Sequence, residues 1–207
     1  MSIWAIIPVK PFSQSKSRLA SVLSPPERAR LSREFFEHVL QTLGRVPVVT
    51  QTMVVSRDSS ALALARAHKA YTVTESGAPD LNRALNRATE GALKLGARAV
   101  LILPSDLPLL VDKEVQQLVE AEGAEPAVVV APDRRKLGTN ALFVRPPGII
   151  EYGFGVNSYD THRARAAQAG AHVRICHLPG VALDIDVPDD LYAFQEISRH
   201  QPHGAPR

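Results

Sequence analysis

The apolar run Ala99-Val100-Leu101-Ile102-Leu103 gives way at once to Pro104-Ser105-Asp106-Leu107-Pro108, so one carboxylate emerges at a strand end between apolar neighbours. A carboxylate in such surroundings is costly unless it is paired. It can bind a hard cation such as Mg²⁺, which takes one or two carboxylates and leaves its other positions to water and phosphate oxygens. It can equally serve as a turn or helix-cap residue. Company for it appears in Leu183-Asp184-Ile185-Asp186-Val187-Pro188. Residues two apart in an extended segment point to the same side, so Asp184 and Asp186 can aim at one point. Asp189 and Asp190 follow Pro188 and open an amphipathic stretch, where they read as N-terminal helix charges.

Anion-binding chemistry has three candidate places. The first strand ends in Val9-Lys10-Pro11-Phe12-Ser13-Gln14-Ser15-Lys16-Ser17-Arg18-Leu19, a polar loop with three cations that suits phosphate or is simply solvated. The glycine pattern of a Walker loop or of a dinucleotide-binding turn is absent from it. In Asp133-Arg134-Arg135-Lys136-Leu137-Gly138-Thr139-Asn140, Thr139 offers a hydroxyl and a main-chain N–H beside a permissive glycine, while the three cations read as a solvated tip. Gly153-Phe154-Gly155-Val156-Asn157-Ser158 leads into a helix, whose free N–H groups beside Gly155 and the Ser158 hydroxyl form either an anion site or an ordinary serine cap. Asn82 and Asn86, one helical turn apart, carry the donor and acceptor pair that reads a base edge, or are exposed helix polars. The seven histidines show no close metal spacing, and Cys176 lies in an apolar strand as an inert thiol.

These residues need elements to hold them. Short β-rich runs recur at 3–9, 52–55, 71–74, 99–103, 127–131, 141–144 and 172–176, and helical spacing occupies 26–43, 59–69, 81–95, 112–122, 158–169 and 189–200. The alternation predicts an open, mostly parallel sheet covered by helices on both faces, with ligands outside the carboxyl ends of the strands. At 207 residues, 45% of them hydrophobic, a single domain over 1–199 is expected, with a frayed tail over 200–207. One cysteine excludes an intrachain disulfide and a cysteine-rich zinc site. The apolar stretch Ile3–Val9 is too short to span a membrane, and Lys10 follows it where a signal peptide needs a charge before, so a soluble, cytoplasmic protein is expected. A net charge of +3 gives no reason to expect nucleic acid as a partner. The charge is uneven, however: residues 1–45 hold seven cations and three acids, opposite in sign to the aspartates near the end.

Taken in order, Ile7-Pro8-Val9-Lys10 with Lys16-Ser17-Arg18-Leu19, Leu81-Asn82, Leu103-Pro104-Ser105-Asp106-Leu107-Pro108, Gly138-Thr139-Asn140-Ala141-Leu142, Phe154-Gly155 with Ser158, and Asp184-Ile185-Asp186-Val187-Pro188 resemble the 2-phospho-L-lactate and phosphoenolpyruvate guanylyltransferases of coenzyme F-420 biosynthesis. The resemblance covers nearly the whole chain. It implies a three-layer, Rossmann-like α/β domain of the nucleotide-diphospho-sugar-transferase type, GTP as donor, Mg²⁺ as cofactor and a three-carbon phospho acid as acceptor, with a homodimer left open. It also implies Lys10, Lys16, Arg18 and Asn82 at the nucleotide, with Lys16, Arg18 and Asp106 acting on the reacting phosphates. Thr139, Gly155 and Ser158 would hold the acceptor, and Asp106, Asp184 and Asp186 the metal. The acceptor stays open among phosphoenolpyruvate, 2-phospho-L-lactate and 3-phospho-D-glycerate. Rival readings are a nucleotidyltransferase for molybdopterin or a sugar phosphate, a glycosyltransferase, and a non-catalytic nucleotide-binding regulator. Two departures touch the acceptor region: many relatives read Gly-Thr-Gly-Thr-Asn where this chain has Lys136-Leu137-Gly138-Thr139-Asn140, and many have glycine at Asn157.

Overall fold

The structure is a computed structural model that describes residues 2–120 and 125–200. Seven strands form one sheet: β1 (Ile3–Val9), β2 (Val49–Ser56), β3 (Tyr71–Thr74), β4 (Ala99–Ile102), β5 (Ala127–Pro132), β6 (Thr139–Arg145) and β7 (His172–Ile175), in the order β3-β2-β1-β4-β6-β5-β7. Every expected strand is present. β1, β2, β3 and β4 run parallel, and β7 is parallel to β5, while β6 is antiparallel to both of its neighbours. The chain leaves β1 toward β2 on one side and returns to pair with it through β4 on the other, so a crevice opens at the carboxyl end of β1.

Helices α1 (Pro25–Gly44), α2 (Ser59–Ala67), α3 (Leu81–Lys94), α4 (Asp112–Glu120), α5 (Ser158–Gln168), α6 (Pro179–Ala182) and α7 (Pro188–His200) complete the fold. The expected end of α4 at Glu122 and most of the expected frayed tail lie outside the described residues, whereas His200 closes α7. Among the described residues no helix is long and apolar enough to cross a membrane.

Strand alternation explains the three layers. Ile3, Ala5 and Ile7 of β1 face one core with Phe36, Val39 and Leu43 of α1, Ala61 and Ala65 of α2, and Val115 and Leu118 of α4. Trp4 and Ile6 face the opposite core with Leu85, Ala88 and Ala92 of α3 and Ala166 of α5. Both faces are apolar because both are covered. A third, smaller cluster of Leu19, Phe35, Leu183, Ile185 and Leu191 ties the end of the first loop to the segment that precedes α7.

Candidate active site

The first loop is not a free arm. It folds into two short 3₁₀ turns, Phe12–Gln14 and Ser17–Leu19. Phe12 is buried and its N–H donates to Asp58 Oδ2 at 2.8 Å, while Asp58 Oδ1 caps α2 by accepting from Ser60 N–H. Between the turns Lys16 takes a left-handed backbone (φ 55) that turns its side chain inward. Lys10 stays exposed at the end of β1. The Lys16 ammonium donates to Asp106 Oδ2 at 2.9 Å and to the Ile185 carbonyl at 2.7 Å, and lies 5.7 Å from the centre of the Phe35 ring. Its side chain is 4% exposed. The loop's three cations were expected to suit phosphate or to be simply solvated; one of them, Lys16, is instead buried against Asp106. Arg18 remains outside, with Nη1 3.3 Å from Asp186 Oδ2.

The alternation expected for Asp184-Ile185-Asp186 has a visible cause. Ile185 is fully buried in the third cluster, so its neighbours are turned the other way. Asp184 Oδ1 accepts from Asn140 Nδ2 at 3.1 Å. Burial pushes the Asp184 carboxyl up to about 6; the Asn140 hydrogen bond opposes this, and the charges of Asp106 and Asp186 add to it. Among the described residues, no three His, Cys, Asp or Glu side chains are gathered tightly enough to hold a metal ion. The three acids are electrostatic neighbours; the buried Lys16 ammonium is bonded to Asp106 and the exposed Arg18 to Asp186.

Asp190, expected as an N-terminal helix charge, does serve the start of α7 and is in addition buried. Its Oδ2 accepts from Asp186 N–H at 3.0 Å and Val187 N–H at 2.9 Å, which closes the start of α7 and holds the aspartate segment. Its Oδ1 pairs with Arg134 and Arg135. The cationic tip of the β5–β6 loop is thereby anchored rather than merely solvated, because a buried carboxylate requires compensating charge.

That loop delivers Thr139 and Asn140 at the first two positions of β6, which face opposite ways. Asn140 Nδ2 donates to the Val181 carbonyl at 2.9 Å as well as to Asp184. Thr139 turns toward α5: its N–H donates to Ser158 Oγ at 2.9 Å, and its Oγ1 lies 2.9 Å from His162 Nδ1. The Thr139 main-chain N–H, a candidate ligand donor, is therefore occupied. So are the first two N–H groups of α5, since Ser158 donates to the Gly155 carbonyl and Tyr159 to the Leu137 carbonyl. Docking of the β5–β6 loop over the helix start is the physical reason. What remains for an anion here is the Thr139 and Ser158 hydroxyls.

Gly155 has φ +130, a conformation that L side chains rarely adopt, and a Cβ there would meet nothing within 4 Å. Backbone conformation, not crowding by protein, demands glycine. Asn82 uses its amide on this same loop: Nδ2 donates to the Phe154 carbonyl at 3.1 Å and Oδ1 accepts from Phe154 N–H at 2.8 Å. It pins the loop to α3, a role its expected contact with a base did not include. Asn86 is exposed on α3.

Lys136 and Asn157, at the two departures, both adopt left-handed backbone (φ 57 and 58). The turns favoured by glycine thus persist without it. A left-handed non-glycine residue costs roughly 1–2 kcal/mol, less for Asn, against about 0.5–1 kcal/mol of added chain entropy for glycine. Lys136→Gly is accordingly expected to stabilise by about 0.5 kcal/mol and Asn157→Gly to be nearly neutral. Urea melts of both variants check this; a clear loss in either would mean the side chain holds its loop.

The residues that sequence reasoning missed are Asn140, Asp190 and His162. Asn140 sits beside a residue already singled out, and His162 lies one helical turn after Ser158, on the same face. That i, i+4 spacing is a readable signal for a histidine beside Ser158.

The fold is that of solved nucleotidyltransferases. A protein of Desulfovibrio desulfuricans assigned to the nucleotide-diphospho-sugar transferases superposes with a TM-score of 0.78 at 20% identity, covering 98% of this chain and 90% of that one. A nucleotidyl transferase from Methanothermobacter superposes with a TM-score of 0.67 at 15% identity, covering 97% and 99%. These likenesses show the fold, that of the nucleotidyltransferases, with a crevice at the carboxyl end of β1 beside the cations of one loop and the carboxylates of two others. Sequence carries the assignment further: over residues 3–201 the chain matches the profile described as "Guanylyl transferase CofC like", and it belongs to that family. The phosphoenolpyruvate guanylyltransferases of Rubrobacter xylanophilus (41% identity over 191 residues, 92% of each chain) and Conexibacter woesei (37% over 206 residues, 99% of this chain and 92% of that one) are among its relatives.

Proposed function

We propose that the protein transfers GMP from GTP to the phosphate of a three-carbon phospho acid, with phosphoenolpyruvate the first candidate because relatives at 37–41% identity carry that name. In this reading an acceptor phosphate oxygen attacks the α-phosphorus in line, the bond from that phosphorus to the β-phosphate oxygen breaks, and pyrophosphate leaves with the electron pair. The product is a diphosphate-bridged conjugate of the kind coenzyme F-420 biosynthesis requires. An ionised phosphate needs little general-base help, so the work falls to positioning and charge neutralisation. The observation that carries the reading is Asn140: one strand end supports Asp184 through Asn140 and presents Thr139 toward Ser158 on the other side.

Lys16, Lys10 and Arg18 are assigned to the triphosphate, and Thr139, Gly155 and Ser158 to the acceptor. Asn82 is assigned to the edge of the guanosine site, where it also steadies Phe154. The donor chemistry of Asp106, Asp184 and Asp186 suits a hard divalent cation, and the three would have to draw closer together than they stand here to hold one. The set is all carboxylate oxygen, and both the burial that chiefly raises Asp184 and the smaller repulsion from Asp106 and Asp186 are offset by added positive charge. These three would hold Mg²⁺, which supplies charge neutralisation at phosphate oxygens when bound.

Incubation with GTP, Mg²⁺ and each of the three acids, followed by mass analysis, tests the proposal. A GMP conjugate of one acid together with pyrophosphate is expected; its absence with all three would reject the acceptor class. Ser158→Ala and Thr139→Val are expected to raise the acceptor constant about ten- to a hundredfold, since a hydrogen bond to a charged group is worth roughly 1.5–3 kcal/mol. Their GTP constants should barely move. A defect confined to GTP would place the acceptor elsewhere.

A further inference from the structure

His162 is fully buried, lies outside the roles given above, and touches both halves of the candidate acceptor pocket. Its Nε2 stands 3.0 Å from Gly153 N, and its Nδ1 stands 2.9 Å from Thr139 Oγ1. The Gly153 N–H can only donate, so Nε2 must present its lone pair. A neutral imidazole with a bare Nε2 carries its hydrogen on Nδ1. That hydrogen is then donated to Thr139 Oγ1, which directs the Thr139 hydroxyl hydrogen away from the histidine. Ser158 is in the same condition, because its oxygen already accepts from Thr139 N–H. Hydroxyls whose oxygens already accept a hydrogen bond are polarised toward donation.

We propose that His162 is a positioning residue for the acceptor: held as the Nδ1–H tautomer by Gly153, it turns the Thr139 hydroxyl into a fixed donor toward the acceptor's anionic group. This rests on the acceptor-site reading above. The surroundings keep the ring neutral and still. Burial pushes its pKa down to about 4, with the Arg165 charge adding to the effect, and the Phe154 ring meets it edge-on at 4.6 Å between centroids. Asn82 holds Phe154 from the other side through its two backbone hydrogen bonds. One imidazole thus couples the orientation of a β6 hydroxyl to the backbone of the loop that contains Gly155. An anionic ligand is matched by two uncharged donors, with no cation required at this end of the crevice.

Two shortened contacts can be separated by substitution. An asparagine amide nitrogen lies about as far from its backbone as imidazole Nδ1 and can still donate to Thr139, whereas a glutamine amide oxygen lies about as far as Nε2 and can still accept from Gly153 N–H. With phosphoenolpyruvate as probe and GTP saturating, His162→Gln is expected to raise the acceptor KM about tenfold with kcat and the GTP KM unchanged. His162→Asn should stay within about threefold of the parent, the remaining donor to Thr139 being what matters. In a Thr139→Val background His162→Gln should add nothing further, which a merely structural role would not produce. The parent protein itself supplies a readout independent of folding: ¹⁵N resonances of the imidazole should show Nδ1 protonated and Nε2 bare. The opposite tautomer overturns the inference, as does additivity of the two substitutions. If Thr139→Val raises the acceptor KM and His162→Gln does not, the role of His162 is rejected while the acceptor site stands. If Thr139→Val itself leaves the KM unchanged, the acceptor-site reading fails and this inference falls with it.

Discussion

Asp184→Asn is expected to lower pyrophosphate release by about a hundredfold or more, the scale of losing one preorganised electrostatic group at a reacting centre, and to make the protein more stable at neutral pH. The second effect follows from linkage. Burial raises the folded carboxyl from its ordinary 3.8 to about 6, so the folded protein holds this proton more tightly than the unfolded chain does. Stability from this group is therefore complete below about pH 4 and is lost as pH rises to about 6, with an upper bound near 3 kcal/mol. The variant carries no such loss. Glu114, also raised by its burial, titrates in both proteins, so the difference between parent and variant isolates Asp184. Thermal melts from pH 4 to 8 should diverge from about pH 4 and keep a constant separation above about pH 6. Adding Mg²⁺ at pH 7 should raise the midpoint of the parent and not that of the variant. Parallel melting curves, or turnover at the parent rate, would remove Asp184 from the site.

Lys16→Met has the next largest expected effect. The substitution keeps an apolar stem beside Phe35 and deletes the ammonium that Asp106 and the Ile185 carbonyl share. Removing one member of a fully buried pair costs about 3–5 kcal/mol; Asp106 is 23% exposed, so about 1–3 kcal/mol is expected. Turnover should fall by about a hundredfold. Lys16→Arg should not restore it, because a planar guanidinium does not fit a pocket built from one carboxylate oxygen and one carbonyl around a point charge. Arg18, 71% exposed at its side chain and 3.3 Å from Asp186, is the comparison. Arg18→Ala should change stability by less than about 0.5 kcal/mol because exposed pairs are screened. Urea melts and pyrophosphate release measure all three variants. Greater destabilisation by Arg18→Ala than by Lys16→Met would show that the buried ammonium is not what binds the loops together.

Much of this was written in local sequence. The short continuous apolar runs of Ile3–Val9 and its neighbours, alternating with helical spacing, determined a sheet covered on both faces and where its strands lie. The placement of Ile185 between two aspartates determined that both acids turn away from the core, since one apolar side chain must be buried and its neighbours must face the other way. The ordered motifs determined the family, and the residues around Thr139 and Ser158 stood out before any contact was known.

Tertiary structure alone decided which of those pieces meet. A strand's own pattern records which face is buried and not which strand lies beside it or in what direction. The insertion of β6 antiparallel between β4 and β5, which brings Asn140 to Asp184 and Thr139 to α5, was therefore not legible. The bond from Lys16 to Asp106 spans ninety residues, and a loop of exposed cations reads the same locally whether or not one of them turns inward. The ion pairs of Asp190 beyond its helix-start role, and any role for His162, are hidden from local sequence for the same reason. A buried carboxylate and a buried imidazole get their roles from partners on other elements, Arg134 and Arg135 for one and Thr139 and Gly153 for the other, and only packing brings those partners within hydrogen-bond reach.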